Sequence, residues 1–347
     1  MKILHVVNNL DITCGASRQI LSNLNILQKN EHTVFILVPK ETVDRRLNDL
    51  KIPFMEIDYR YEDRSPFRIL FHLIRVFNFI RKNRFEVVHC HHFYQAFLFS
   101  FFRKIFHYQL IQTIRQDFDD TLGKIPHYSA DKIIFLSEII RKEKIPYIKN
   151  KKTFVVQNPL IFISSSKTIV KSENEEFTLA FIGRFSKDKN IDLILNALKI
   201  ISHEKLRIIF IGRGVEENKI REFAETTIHN VEILKERYDI EEIYLQADII
   251  LLPSLIEGVP NVIMEAGFFS KAVITSNVGG ILELVKDNES GIILKDIFDP
   301  AELKQKILLL KNDNILRKRL GEKLKDKISC LPTPEMNYSS ILDIYKL

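Results

Sequence analysis

Short apolar runs of strand length alternate with amphipathic stretches of helix length, and this alternation stops once and then restarts. Strands are expected at residues 2–7, 34–38, 54–57, 87–89, 109–114, 132–136 and 153–157. The clearest helical stretches between them are 16–29, 67–82 and 93–106. Apolar β runs separated by helix-length segments predict βαβ units and parallel sheets. The polar stretch 164–176 carries no such period and reads as a linker. Beyond it, strands at 178–182, 207–211, 231–234, 249–252, 272–275 and 291–294 interleave with helices at 190–202, 217–226, 260–269 and 300–310. The expected organisation is a domain over 1–163, a linker over 164–176 and a second domain over 177–330. A chain of 347 residues suffices for two such cores. In open parallel sheets ligands bind beyond the carboxyl ends of the strands, so chemistry is sought there.

Composition narrows the function classes. Hydrophobic residues make up 46% and charged residues 28%, a globular balance with no apolar run of membrane-spanning length. The first apolar strand is too short for a signal-peptide core, and three distant cysteines suggest neither a disulfide framework nor a zinc cluster. A cytoplasmic protein is expected. The net charge of +6 is uneven: residues 1–160 hold 25 Lys and Arg against 16 Asp and Glu. That surplus suits an anionic partner such as a nucleotide, an acidic glycan or an anionic membrane surface. No nucleic-acid-binding motif accompanies it. The helical stretches 67–82 and 93–106 carry Phe101, Phe102, Arg103 and Lys104 among other apolar and basic residues. Core packing is their first reading and a peripheral membrane face the second.

The most informative segment is Glu257-Gly-Val-Pro-Asn-Val-Ile-Met-Glu265. Gly258, Val259, Pro260 and Asn261 form a loop that opens a helix, with Pro260 near the first turn where its missing N–H costs little. Free loop amides and the positive end of a helix dipole suit a phosphate. Two lone Glu would ordinarily be solvated, but the sequence continues through Ala272-Val-Ile-Thr275 to Val278-Gly-Gly-Ile281. Two Glu separated by seven residues, then a strand, then a Gly-Gly turn resemble the signature of the retaining glycosyltransferases of family 4. The resemblance implies an α/β chain of GT-B fold: two facing Rossmann-like domains with an interdomain cleft and a C-terminal helix, here 336–347, crossing back to the first domain.

The same resemblance implies roles. Arg184 and Lys189, after the strand that ends at Gly183, would hold the donor diphosphate and stabilise the leaving group, while Glu265 would bind the ribose. Glu257 and nearby loop amides would take the hexose hydroxyls. Gly212, in Ile211-Gly-Arg-Gly214, and Gly15, in the first loop, would let backbone approach the donor; Arg237 and Tyr238 would neighbour the base. Asn190 stands where the family usually has Gly, and Cys14 and Ser17 depart from its first-loop pattern. Lys189→Ala and Glu257→Ala are expected to cut turnover by orders of magnitude with the fold intact.

Four histidines, His89, His91, His92 and His107, lie within 19 residues, at spacings that suit no standard zinc site. Strand alternation puts His89 and His91 on one face and His92 on the other. The resemblance makes His91 the residue that faces the transferred sugar, with Arg115 and Asp117 as acceptor contacts. Cys14 has no motif-supplied base beside it and is a weak nucleophile candidate. The whole reading is a retaining transferase that uses a nucleotide-sugar donor and a glycan or lipid-linked glycan acceptor, with no metal and no other cofactor. The resemblance points to bacterial surface-polysaccharide assembly, at the inner face of the cytoplasmic membrane. The alternatives are a nucleotide-sugar 2-epimerase of the same fold and a non-catalytic glycan-binding protein.

Overall fold

The computed structural model describes residues 1–8, 10, 15–39, 52–57, 66–115, 129–148, 151–161, 176–201, 203–235 and 240–347. The chain divides into two compact units, Met1–Ile161 with Pro332–Leu347, and Phe162–Leu331.

The first unit runs β1 (Lys2–Val6), α1 (Gly15–Lys29), β2 (Thr33–Val38), β3 (Phe54–Glu56), α2 (Pro66–Asn83), β4 (Val87–Cys90), α3 (Phe93–Phe106), β5 (Gln109–Ile114), β6 (Lys132–Phe135), α4 (Glu138–Lys144) and β7 (Lys152–Val155). Its seven strands pair in parallel in the order β3-β2-β1-β4-β5-β6-β7. Alternation along each strand separates two cores. Ile3, Val87, Ile111 and Ile134 face one way and pack with Leu24 and Leu27 of α1. Leu4, Val88 and Leu110 face the other way and pack with Val76 and Ile80 of α2 and Phe99 of α3.

The second unit runs β8 (Thr178–Ile182), α5 (Ile191–Ile200), β9 (Arg207–Ile211), α6 (Glu217–Thr226), β10 (Asn230–Leu234), α7 (Glu241–Gln246), β11 (Ile249–Leu252), α8 (Asn261–Phe268), β12 (Ala272–Thr275), α9 (Ile281–Leu284), β13 (Ile292–Ile293), α10 (Pro300–Asn312) and α11 (Asn314–Ser329). Its six strands are also parallel, in the order β10-β9-β8-β11-β12-β13. Both sheets are doubly wound. The chain reverses its direction of growth between β1 and β4 in one and between β8 and β11 in the other. Those two gaps are where a doubly wound sheet leaves room for a ligand.

The final helix, α12 (Pro334–Lys346), follows the second unit in sequence but belongs to the first. Thr333 caps it by accepting from the Met336 amide at 3.2 Å, and Pro334 supplies a first-turn residue with φ already set. Tyr338, Ile344 and Tyr345 of α12 enter the core beneath α1. Asn337 ties the helix start to the Gln157 carbonyl at 2.6 Å.

Candidate functional site

At the switch point of the second sheet, three loops meet beyond the carboxyl ends of β8, β11 and β12. Lys189 leaves the first loop and donates to Glu257 Oε1 at 2.6 Å; their side chains are 14% and 10% exposed. Ser254 Oγ donates to the same carboxylate oxygen at 2.8 Å and is fully buried. The loops are laced by backbone as well: Leu255 N–H to Asp188 O at 2.8 Å, and Gly280 N–H to Gly258 O at 2.8 Å. Gly279 shows why the third loop carries glycine. Its φ is +54°, and a Cβ there would lie 2.0 Å from the Glu257 carbonyl oxygen. A Cβ on Gly212 would meet the Gly183 carbonyl at 1.9 Å, so the backbones after β8 and β9 touch.

Lys189 sits in a short 3-10 turn that ends at Asn190, whose φ of 54° and ψ of 44° are left-handed. Asn is among the few non-glycine residues that take this conformation readily. Its side-chain amide also donates to Ile297 O at 2.7 Å. Arg184 projects with its side chain 68% exposed, 3.8 Å from Asp188. Pro260 is the N-cap of α8 rather than its first residue, and Asn261 opens the helix. Glu265 is buried on α8 and accepts from the Tyr244 hydroxyl at 2.6 Å. Lys189 and Glu257 are thus directly bonded, while Glu265 is held by Tyr244. Ser254 and Tyr244 were not singled out from sequence. Ser254 is signalled only by its place three residues before Glu257, and Tyr244 by nothing local.

At the switch point of the first sheet the apolar layer gives way to a polar one. His5 on β1, His89 on β4 and Thr113 on β5 share the face of Ile3, Val87 and Ile111. His91 and Arg115 continue that face past the strand ends. His5 Nδ1 lies 3.0 Å from His91 Nε2. His89 uses both ring nitrogens, on the Tyr345 hydroxyl at 2.6 Å and on Thr113 Oγ1 at 2.7 Å. Arg115 donates to Gln19 Oε1 at 3.2 Å and to His91 Nδ1 at 3.3 Å. Burial, with the Arg115 guanidinium second, pulls the His5 pKa down to about 3. Burial likewise holds His89 and His91 well below the usual imidazole range, with neighbouring His and Arg115 adding to the effect. All three are uncharged at neutral pH.

The nitrogens of His5, His89 and His91 lie within 4.8 Å of one another, a spacing that a metal ion would accept. His89 has no nitrogen to give without losing a hydroxyl partner, and a guanidinium stands on His91. The arrangement suits hydrogen bonding better than a cation. The other two histidines have structural work. His92 caps α3, accepting from the Tyr94 amide at 3.4 Å, and His107 ends it in a left-handed conformation with φ 54°. Gly15 opens α1. Cys14, Asp117, Arg237 and Tyr238 lie outside the described residues.

Two doubly wound parallel sheets, each with polar groups gathered at its switch point, make the GT-B fold. A solved structure of HepE from Anabaena, in complex with UDP and glucose, superposes with a TM-score of 0.79 at 16% identity, covering 100% of this chain and 99% of that one. Residues 163–327 match the family model described as Glycosyl transferases group 1. An uncharacterized glycosyltransferase of Methanocaldococcus jannaschii is 31% identical over 201 residues, 57% of this chain and 54% of that protein. The capsular polysaccharide biosynthesis glycosyltransferase CapM of Staphylococcus aureus is 31% identical over 160 residues, 45% of this chain and 42% of that protein. The chain therefore spans about half the length of these curated relatives.

Proposed function

We propose that the chain is a retaining glycosyltransferase of family 4 type. It moves a sugar from a nucleotide-sugar donor to a glycan or lipid-linked glycan in bacterial surface-polysaccharide assembly. The observation that carries this reading is the Lys189–Glu257–Ser254 cluster at the switch point of the second sheet, with Glu265 two turns further along. A lysine ammonium has three donors. One serves Glu257 at 2.6 Å, the Asp188 carboxylate lies 3.7 Å away, and a donor diphosphate beside the exposed Arg184 takes what remains. Negative charge grows on that diphosphate as the glycosidic bond breaks, so cations held in advance act chiefly in the transition state. Glu257 accepts from hexose hydroxyls and Glu265 from the ribose. The acceptor contacts the polar layer of the first unit through Arg115, and His91 beside it faces the transferred sugar. CapM supports the polysaccharide context, and HepE supports a uridine nucleotide.

The purified protein should be screened for binding and hydrolysis of UDP-, GDP-, ADP- and CMP-sugars, with and without EDTA. Selective binding, insensitive to EDTA and followed by slow nucleotide release, is expected. No binding to any donor would reduce the chain to a glycan- or partner-binding protein. Conversion of the donor to an isomer of equal mass, without an acceptor, would make it an epimerase.

Work at the inner face of the cytoplasmic membrane fits helices α2 and α3. Neither contains an Asp or Glu, while together they carry Arg68, Arg75, Arg81, Lys82, Arg103 and Lys104. Phe71, Ile74, Phe101 and Ile105 are each more than half exposed on them. No helix among the described residues is long and apolar enough to cross a membrane. Basic and apolar groups presented together bind anionic interfaces peripherally. Co-sedimentation with phosphatidylglycerol vesicles, weakened by salt and by Phe101→Ser with Ile105→Ser, is the expected result. No lipid-dependent pelleting would remove this part of the reading.

A further inference from the structure

The polar layer of the first unit forms a continuous chain of hydrogen bonds whose direction can be assigned. Arginine only donates, so His91 Nδ1 is an acceptor toward Arg115. A neutral His91 then carries its proton on Nε2 and donates to His5 Nδ1 at 3.0 Å. His5 in turn carries its proton on Nε2, which points at the Tyr345 hydroxyl at 3.5 Å. That hydroxyl is left to donate to His89 Nδ1 at 2.6 Å. His89 Nε2–H finally donates to Thr113 Oγ1 at 2.7 Å. Every link has one donor and one acceptor, and the first donor is a group that cannot reverse.

We propose that Arg115 and Tyr345 are positioning residues that polarise this relay in one direction and lock His91, His5 and His89 in a single tautomer, proton on Nε2. Tyr345 comes from α12, so the last helix of the chain is built into the pocket that His5, His91, Gln19, Asn23 and Arg115 line. The titratable groups facing that pocket, among the described residues, are the three histidines, Arg115, Tyr338 and Tyr345. Burial raises both tyrosines and lowers all three histidines, so Arg115 alone is charged at neutral pH. A buried network in which every imidazole nitrogen has a partner is stiff, which is what a pocket holding its ligand in one pose requires. The tautomer assignment stands by itself. Its bearing on catalysis rests on the reading that this pocket takes the acceptor.

The test is a set of long-range 1H–15N correlation spectra of full-length protein labelled at histidine, recorded between pH 5.5 and 8. The native protein should show three histidines with the pattern of a neutral Nε2–H ring and no titration in that range. Arg115→Met should release His91 and His5 into exchange between tautomers, and Arg115→Lys, which still donates, should restore the single form. Tyr345→Phe acts from the other end: it should release His89 and leave His91 locked. If Arg115→Met misfolds, Tyr345→Phe still decides the matter. Nδ1–H signals or a titration near neutrality from His5, His89 or His91 in the native protein would overturn the proposal. So would unchanged tautomers in both Arg115→Met and Tyr345→Phe, or coordinated shifts of all three rings with one equivalent of Zn2+. Absence of any glycosyl transfer would refute the proposed function and leave these spectra unaffected.

Discussion

Lys189→Ala is expected to cut turnover by about 10²–10³-fold at saturating donor, the usual cost of removing one preorganised charge from a developing anion. The structure adds a second consequence. Lys189 and Glu257 are nearly buried and bonded to each other at 2.6 Å, so deleting the lysine leaves a nearly buried carboxylate held by the Ser254 hydroxyl without its cation. Breaking such a pair from one side costs on the order of 3–5 kcal/mol. The sequence-based expectation is that Lys189→Ala and Glu257→Ala leave the fold intact; the buried pair adds that each single variant should also be less stable. The double variant Lys189→Ala/Glu257→Gln separates the two effects, because it removes both charges together. Its urea midpoint should return toward the native value while its initial rate stays low. Near-native turnover in Lys189→Ala would contradict the assigned role. A rate that recovers together with stability in the double variant would show that Lys189 matters only as a partner for Glu257.

What could be read in advance was what is periodic or local. Strands 109–114, 178–182, 207–211, 249–252 and 272–275 are bounded in the sequence where the structure bounds them, because apolar β runs buried on both faces stand out against their flanks. Helix α11 was missed. Its sequence is dominated by Lys, Arg, Asp and Glu, and only Leu320, Gly321, Leu324 and Ile328 are buried, a stripe too narrow to register as a period. Its place is set instead by Gly321 seated against the Ser270 carbonyl, where a Cβ would come within 2.0 Å. Helices α4, α7 and α9 were too short to show a period. At the second switch point, Lys189 and Glu257 were each singled out, but their bond joins positions 68 apart and follows only from the order of strands in the sheet. The first switch point hides its chemistry more completely. Alternation placed His89 and His91 on one face, yet nothing near them in sequence indicates that His5 and Tyr345, 340 residues apart, close the chain between them. Long-range polar networks leave no local pattern, since each member is an ordinary residue until the sheet assembles.

That hidden network makes the first unit sensitive to acid. An imidazole in an unfolded chain takes a proton below about pH 6.5. Folded His5 refuses it until about pH 3, and burial holds His89 and His91 low as well. Across that window the unfolded state binds more protons than the folded one, so stability falls as pH falls and is fully present only above about 6.5. Each histidine contributes a slope of up to about 1.4 kcal/mol per pH unit. Three in one unit can remove several kcal/mol between pH 6.5 and 5, a large share of what holds a domain of this size together. Hydrogen exchange at pH 7.5 and 5, corrected for intrinsic rates, should show β1 and β4 losing protection in acid well before β8 and β11. His89→Gln keeps a polar side chain in the layer and removes one titrating group, so the slope of the urea midpoint against pH should drop by about a third, one imidazole of three. Protection lost equally in both units, or a midpoint flat between pH 7.5 and 5, would mean that the folded imidazoles take up protons as readily as those of the unfolded chain. In that case the relay would fail as assigned, because a doubly protonated His91 has no nitrogen left to accept from Arg115.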